Sequence, residues 1–422
     1  MTCAWLVARR NGLSSRNNKC TWLLSTSAKL HSQDSPQQQQ QQSQPKSWLI
    51  VGDGDLSYAA SIAPTLDPTT TQLLASVWED KDTHQRIYRN SLAHVKSIQD
   101  AGHSVHFGVD ATQLNTTLPT TITTGTNARL FDRITFNFPH WRGKSNHRYN
   151  RQLINDFLAS ATHVLHPTTG QIHIALLDGQ CGLFQSSSLQ AWKRSWMVPA
   201  YANQHGLLLH NVQPFAVHYN LSSHRGVDRP FSPGQAPRKY VFGWSLPSTS
   251  SKGFSIPTAY QMACRHELRL RLDPRRMARN DDACPYSIQE LRDTNIIPEM
   301  VQACVPVGIH VELPLRDVVQ RTTTSSSTCP LLIFLVVYAG AGQPMTRAVG
   351  NAIRQHVEAY VHNATGLEIA KAGRSVSRVF PYALLHTLLQ EYQVNHKNIT
   401  QININNSSNA TSAVSTVAEA ET

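Results

Sequence analysis

Between residues 46 and 246, short apolar runs alternate with stretches of helical periodicity. The apolar runs occupy 48–51, 73–78, 105–109, 131–136 and 172–177, and the helical patterns cover 57–63, 83–100 and 150–165. This alternation predicts strands joined by helices that cover both faces of a mostly parallel sheet. We therefore expect an α/β domain over residues 46–246.

Polar residues follow each predicted strand at the point where the strand ends. The carboxyl ends of parallel strands meet at one edge of a sheet, and ligands bind outside that edge. The residues expected on this rim are Gly52, Asp53, Gly54, Asp55, Glu79, Asp110, Asn137 and His140.

The first of these clusters is the loop Gly52-Asp53-Gly54-Asp55. Its glycines permit a tight turn and let a ligand approach the backbone. Its two carboxylates disfavour a phosphate ligand and favour one with a cationic end, such as the sulfonium and amino groups of S-adenosylmethionine. The simpler alternative is a turn that only connects two elements.

Glu79 and Asp110 follow the second and third predicted strands. An acidic residue at the end of the second strand can accept hydrogen bonds from ribose hydroxyls, as in dinucleotide-binding folds. Asp110 can accept a hydrogen bond from an adenine amino group. Either carboxylate can instead cap the helix that follows it.

The tetrapeptide Asn137-Phe138-Pro139-His140 loosely resembles the Asn/Asp-Pro-Pro-aromatic sequence of methyltransferases that act on exocyclic amines. It suits a flat base, held by amide hydrogen bonds and by stacking. His140 is a candidate general base because its ordinary pKa lies near neutrality. Alternatively, Phe138 and Pro139 only shape a loop, and His140 is one of 20 histidines in the chain.

Basic residues and an aromatic follow this motif, and the whole chain carries a formal net charge of +11. Such a balance favours a polyanionic partner, and cations beside an aromatic suit phosphate contact and base stacking. A solvated loop is the alternative. The candidate RNA-binding residues are Trp141, Arg142, Lys144, Arg148, His224 and Arg225.

The motifs VGDGDLSYAASIA, ASVWED, HFGVDAT, FNFPHWRG, NRQLINDFLASA, GQIHIALLDGQ and HYNLSSHRG occur in this order. Together they resemble the Rossmann-like 25S rRNA (uridine-N3)-methyltransferase family. The resemblance implies methyl transfer from S-adenosylmethionine to N3 of a ribosomal uridine, which must be unpaired. It further implies that Asn137 binds a uracil carbonyl and that His140 or Asp178 takes the proton. The sequence departs from the family at His224-Arg225-Gly226, where a doubled arginine is usual.

Two alternatives stay open for the function. In the first, the same methyl transfer acts on a uridine of tRNA. In the second, the chain is a non-catalytic RNA-binding protein that has retained only the Rossmann-like fold. Cofactor binding separates the second alternative from the first.

Residues 255–395 carry a β-α-β-β-α-β pattern, with strands at 266–272, 309–315, 331–338 and 367–370 and helical regions at 286–304, interrupted at Pro298, and 345–361. This pattern predicts a smaller, ferredoxin-like α+β domain. VPVGIHVELPL and QPMTRAVGNAIRQHVEAYVHNATGLEIAKAGR resemble the ferredoxin-fold anticodon-binding domain, which implies RNA capture. A dimerisation or scaffold domain is the alternative. Candidate phosphate contacts are Arg269, Arg271, Arg275, Arg276 and Lys371.

The two ends of the chain differ in composition from the rest. Residues 1–45 hold five basic residues before the first acidic one, which suggests a disordered leader or a mitochondrial or plastid transit peptide. The family resemblance instead implies cytoplasm or nucleolus. Residues 396–422, rich in Asn, Ser, Thr and Ala, are expected to be disordered.

Neither a metal site nor a membrane span is expected from the sequence. The seven cysteines show no zinc-binding spacing, and no apolar run approaches the length of a membrane-spanning helix. The oligomeric state is not indicated by any pattern.

Overall fold

The structure is a computed structural model. It describes residues 45–119, 130–141, 146–183, 188–220, 222–224, 228–234, 236–245, 256–271, 286–322, 328–370 and 376–392. The predicted leader and tail lie outside these residues, as do Arg142, Lys144, Arg225, Arg275, Arg276 and Lys371.

A seven-stranded sheet forms the amino-terminal part of the structure. Its strands run in the order β3-β2-β1-β4-β5-β9-β6, and β1 to β5 pair in parallel. β9 pairs antiparallel with both β5 and β6. The strands are β1 Lys46–Val51, β2 Thr71–Ser76, β3 Ser104–His106, β4 Arg133–Asn137, β5 Gln171–Leu176, β6 Leu207–Pro214 and β9 Arg238–Trp244. A separate hairpin pairs β7 Ser222–His224 with β8 Asp228–Pro230.

The strand order reverses between β1 and β4, which places a topological switch point at their carboxyl ends. The order of the parallel strands is that of a Rossmann-like sheet, so the predicted fold class is confirmed. The helices around it are α1 Ser57–Ile62, α2 Lys81–Ile87, α3 Ser91–Asp100, α4 Leu114–Thr117, α5 His147–Val164, α6 Leu189–Arg194 and α7 Val198–Gln204.

Both faces of β1 are buried, because its side chains alternate between two hydrophobic clusters. Leu49 and Val51 belong to the cluster that contains Phe157 of α5, whereas Ile50 belongs to the cluster that contains Ile98 of α3. The central strand is therefore apolar from Trp48 to Val51, as expected for a parallel sheet covered on both sides.

The single helix predicted over 83–100 is wrong. The structure has two helices, α2 and α3, separated by Tyr88, Arg89 and Asn90. Tyr88 ends α2 with an extended backbone, and its side chain is buried. The apolar period continues across the break, with Ile87 in α2 and Val95 and Ile98 in α3, so the pattern alone does not reveal it.

A second sheet forms the carboxyl-terminal part and follows the predicted β-α-β-β-α-β order. Its antiparallel strands lie in the order β11-β12-β10-β13, and β14 also pairs with β10. The elements are β10 Met262–Arg271, α8 Ile288–Asp293, α9 Ile296–Ala303, β11 Ile309–Thr322, β12 Thr328–Gly340, α10 Arg347–Thr365, β13 Glu368–Ile369 and β14 Phe380–Pro381. The ferredoxin-like topology is thus present, while the domain limits assigned from the sequence stay predictions.

The predicted interruption of a helix at Pro298 is also wrong. The break comes earlier, between α8 and α9, and Pro298 lies in the first turn of α9. Proline is tolerated there because the amides of the first turn have no partner within the helix.

Among the helices of the described residues, none is both long enough and apolar enough to cross a lipid bilayer.

Because two histidines are buried, we expect the free energy of unfolding to fall in mild acid. Burial, with Arg133 and Lys239 nearby, lowers the pKa of His173 to about 3, and burial beside Arg354 does the same for His266. The pKa of each histidine is lower in the folded state than in the unfolded state. The resulting contribution to the free energy of unfolding is fully present above the unfolded-state pKa near 6.5, and it is lost as the pH falls towards the folded-state pKa near 3. At pH 5, each histidine should lower the free energy of unfolding by roughly 2 kcal/mol relative to its value above pH 6.5.

Urea unfolding between pH 5 and pH 7.5 measures this effect. We expect the free energy of unfolding to rise with pH, and the His173→Gln variant to show a shallower slope. A slope unchanged in that variant would contradict the assignment.

Candidate functional site

The loop after β1 has a backbone that requires its glycines. Gly52 and Gly54 have φ angles of 60° and 49°, and Leu56 follows at 66°. A Cβ atom on Gly52 would lie 2.7 Å from the Phe136 ring of β4. The loop therefore passes close over the end of β4, and only glycine fits at Gly52.

The carboxylates of Asp53 and Asp55 both face the start of α1. Asp53 Oδ2 accepts a hydrogen bond from the Ala59 amide at 2.7 Å, and Asp55 Oδ1 accepts one from the Ser57 amide at 3.1 Å. Burial raises the pKa of Asp53 well above its ordinary value, and the charge of Asp55 adds to the shift. Among the described residues Asp53, which is half-buried, forms no ion pair with a cation.

Two histidines form hydrogen bonds to backbone carbonyls of this loop. His84 is fully buried, with Nε2 2.8 Å from the Gly54 carbonyl and Nδ1 2.6 Å from the Ser91 hydroxyl. Because a carbonyl only accepts, Nε2 carries the proton and Nδ1 accepts from Ser91. His94 Nδ1 donates to the Asp55 carbonyl at 2.6 Å. Neither histidine was identified from the sequence, since nothing at either position marks a contact with a loop 30 or more residues away.

Replacing His84 with leucine should destabilise the protein by about 2–4 kcal/mol. The substitution leaves the Gly54 carbonyl and the Ser91 hydroxyl buried without partners. Chemical denaturation measures the change, with His386→Leu, at an exposed position, as the control. Equal stability of the two variants would show that His84 does not hold the loop.

Glu79 and Asp110 lie beyond the ends of β2 and β3, as predicted. Glu79 is half-buried, and its carbonyl accepts from the Gly108 amide at 2.9 Å. Asp110 Oδ1 accepts from the amide and hydroxyl of Thr112 at 2.8 and 2.7 Å. The residue at the start of α4 is Gln113, so Asp110 does not cap a helix.

The segment after β4 has an unusual backbone. Phe138 has a φ angle of 49°, which a residue with a side chain rarely adopts, and its amide donates to the Ala175 carbonyl at 2.9 Å. Both polar atoms of the Asn137 side chain are buried and make no hydrogen bond of good geometry. Burial raises the pKa of the nearby Tyr58 hydroxyl, and the Asn137 side chain partly opposes that rise. Strained residues and unsatisfied polar groups at one place are typical of functional sites.

The next two residues are fixed by aromatic neighbours. The His140 ring lies 6.1 Å from the Trp196 ring in an edge-to-face arrangement. Trp141 stacks on Tyr149 with ring centroids 5.9 Å apart, and its amide donates to Asn150 Oδ1 at 2.7 Å. Trp141 is half-buried, so one predicted RNA-binding residue already has a stacking partner within the protein.

A cluster of five aromatic side chains lies at the Asn137–Phe138 turn, and we call it the aromatic cluster. Ring centroids are 5.5 Å apart for Phe138 and Phe215, 5.6 Å for Phe138 and Phe231, 6.1 Å for Tyr58 and Phe215, and 5.3 Å for Tyr58 and Tyr219. No role was predicted for Tyr58, Phe215, Tyr219 or Phe231. The only signal in the sequence was that Tyr58 and Tyr219 lie within two of the family motifs.

The remaining predicted site residues are less closely associated. Asp178 is exposed on the turn after β5, and Arg148 is exposed in the first turn of α5. The backbone of His224 pairs with Asp228 in the β7–β8 hairpin. Arg142, Lys144 and Arg225 lie outside the described residues, so the basic part of the site stays a prediction.

In the second sheet, two of the candidate phosphate contacts already have acidic partners. Arg269 forms an ion pair with Glu267, and Arg271 forms one with Glu368 at 2.9 Å. These pairs reduce the positive charge that either arginine offers to a phosphate.

Comparison with known proteins connects the first sheet to a methyltransferase family. Residues 49–225 match the family model described as rRNA (uridine-N3-)-methyltransferase BTM5-like. This match confirms the resemblance inferred from the motifs.

Curated relatives match about half of the chain. The Ferredoxin-fold anticodon-binding domain-containing protein 1 homolog of Mus musculus is 36% identical over 213 residues, which are 49% of this chain and 32% of that protein. The human protein of that name is 34% identical over 214 residues, again 49% and 32%. The matched part thus spans about a third of the length of these relatives.

Solved structures resemble the chain only distantly. The 30S ribosomal A1408 methyltransferase of an uncultured bacterium is 15% identical, covering 47% of this chain and 87% of that one, with a TM-score of 0.29. Human methyltransferase-like protein 13 in complex with SAH is 14% identical, covering 49% and 74%, with a TM-score of 0.29. The fold assignment therefore rests on the strand order itself.

Proposed function

We propose that this protein is an S-adenosylmethionine-dependent RNA methyltransferase that acts on N3 of a uridine in ribosomal RNA. One observation carries the proposal: an acidic glycine loop and a buried, unsatisfied asparagine lie after β1 and β4, the adjacent strands of the switch point. The match of residues 49–225 to the uridine-N3 family model supports the same reaction.

The residues at the carboxyl edge fit the proposed cofactor. Asp53 is a half-buried carboxylate without a cation among the described residues, which suits a ligand with a positive centre. Glu79 and Asp110 extend the acidic edge, where a pyrophosphate would be repelled. S-adenosylmethionine, when bound, supplies a methyl group on a sulfonium centre as the electrophile. Asp53, Glu79 and Asp110 are the residues proposed to hold it, with Gly52 and Gly54 giving access to the backbone.

Asn137 is proposed to orient the base. Uridine N3 is an imide nitrogen that must lose its proton before it can act as a nucleophile. An amide that donates to an adjacent carbonyl oxygen stabilises the charge that this loss leaves on the base. The Asn137 amide is suited to this role because its polar atoms are buried and make no well-formed hydrogen bond in the protein.

Two residues are proposed as proton acceptors. His140 follows β4 and Asp178 follows β5, and these strands pair in parallel, so both residues lie at the same edge of the sheet. His140 is half-buried and oriented by Trp196, whereas Asp178 is exposed to water. Either residue can take the N3 proton directly or through a water molecule.

Methylation of purified RNA pools tests the proposal. The protein is incubated with labelled S-adenosylmethionine and either unmodified ribosomal RNA or unmodified tRNA, and the digested nucleosides are identified by mass spectrometry. We expect N3-methyluridine in ribosomal RNA. N3-methyluridine in tRNA alone would favour the tRNA alternative, which the anticodon-binding name of the relatives also suggests. Label in another nucleoside would refute the uridine assignment, and no transfer to either pool would refute catalysis.

A further inference from the structure

We propose that the aromatic cluster is the pocket for the target base and that the Tyr219 hydroxyl donates a hydrogen bond to a carbonyl oxygen of that base. This inference rests on the proposed function and deepens it, because it names residues outside the motif after β4 as contacts of the base.

The rings of the aromatic cluster come from three separate parts of the chain. Tyr58 lies in α1, Phe138 follows β4, and Phe215, Tyr219 and Phe231 belong to the segment between β6 and β9. The positive φ of Phe138 directs its ring towards Phe215 and Phe231. Every residue of the cluster except Phe215 is only half-buried, so part of the aromatic surface is exposed. Aromatic faces of this kind are the usual binding surface for an unpaired base.

Two polar side chains within this apolar environment lack well-formed hydrogen bonds. The Tyr219 hydroxyl and the Asn137 amide are both buried without one. Ligand sites characteristically combine apolar walls with a few such polar groups, which the ligand satisfies when it binds. A planar heterocycle with hydrogen-bonding groups on its edge matches both features.

The free hydroxyl suits the edge of uracil. Burial raises the pKa of Tyr219, and the negative charge of Asp53 raises it further, so the hydroxyl remains protonated and can donate. Uracil presents a carbonyl oxygen on each side of N3, and both accept. A hydroxyl can also accept, so this contact orients the base and does not by itself separate uracil from cytosine.

Tyr58 is less suited to this contact. Its hydroxyl already lies beside the Asn137 amide, which affects its pKa. Tyr219 therefore provides the available donor, and Tyr58 is assigned a positioning role for Asn137.

The test is the Tyr219→Phe variant of the full chain, with Tyr360→Phe, at an exposed position on α10, as the matched control. The substrate is a transcript that carries the uridine methylated by the wild type. We expect kcat/KM for this transcript to fall roughly 10- to 100-fold. Affinity for S-adenosylmethionine should stay within about twofold of the wild type, because cofactor contacts are assigned elsewhere.

A purely structural role for the hydroxyl makes a different prediction. The thermal midpoint of Tyr219→Phe should equal or exceed that of the wild type, since the hydroxyl removed makes no hydrogen bond in the protein. A lowered midpoint, or wild-type kcat/KM in a folded variant, would overturn the assignment while leaving the proposed function intact. A wild type that does not methylate RNA would overturn both.

Discussion

The Asp53→Asn variant is expected to bind S-adenosylmethionine roughly 100-fold more weakly than the wild type. The substitution keeps the shape of the side chain and removes only its charge. In the wild type that carboxylate is half-buried, and among the described residues no cation pairs with it. A cationic ligand therefore gains an interaction that an amide cannot replace. Calorimetric titration of the two proteins measures the difference.

The pH dependence of binding gives this prediction its internal check. The pKa of Asp53 is raised, so the carboxylate loses its charge at a higher pH than an ordinary aspartate as the solution is acidified. Wild-type affinity should fall with decreasing pH, whereas the affinity of Asp53→Asn should change less. Asp67→Asn, an exposed aspartate on the loop before β2, is the control and should bind as the wild type does. An Asp53→Asn protein with wild-type affinity would remove Asp53 from the cofactor site.

The Asn137→Ala variant is expected to lower kcat for RNA methylation by about 10²- to 10³-fold, the usual effect of losing one donor to a developing negative charge. Affinity for S-adenosylmethionine should be unchanged. Stability should not fall much, because the buried amide makes no well-formed hydrogen bond in the protein. Asn211→Ala, at an exposed position on β6, is the control for the same chemical change. Loss of cofactor affinity with normal kcat would move Asn137 from the base to the cofactor.

Sequence patterns predicted the positions of the strand ends well, for a physical reason. In a parallel sheet buried on both faces each strand is a continuous apolar run, and the run stops where the chain turns towards solvent. Gly52, Glu79 and Asn137 were therefore placed at the correct edge although 85 residues separate the first from the last.

Contacts between distant segments were not predictable in this way. In the aromatic cluster, the Tyr58 ring contacts the Tyr219 ring. In the loop after β1, the Gly54 carbonyl accepts a hydrogen bond from His84. Neither contact has a periodic signal, because single side chains from irregular or short elements make them. The sequence analysis also did not predict strands β6 and β9, which pair antiparallel with each other. The alternation of strands and helices predicted only the parallel part of the sheet.

The second sheet shows the limit of inferring a role from charge. Its strand order agreed with the predicted pattern because strand and helix periodicities differ clearly there. The strand order does not show that Arg269 and Arg271 contact phosphate. Arg269 forms an ion pair with Glu267 on the same strand, and Arg271 forms one with Glu368 on the neighbouring strand β13. Residue type gives the sign of a charge, but only the fold shows what already neutralises it.

Direct titration of the wild-type protein with S-adenosylmethionine tests the central claim, that the edge formed by Asp53, Glu79 and Asp110 is a site for this cofactor. We expect saturable binding close to one molecule per chain, competition by S-adenosylhomocysteine, and no binding of a nicotinamide dinucleotide, whose pyrophosphate the acidic edge would repel. Absence of S-adenosylmethionine binding, or preferential binding of the dinucleotide, would contradict the account.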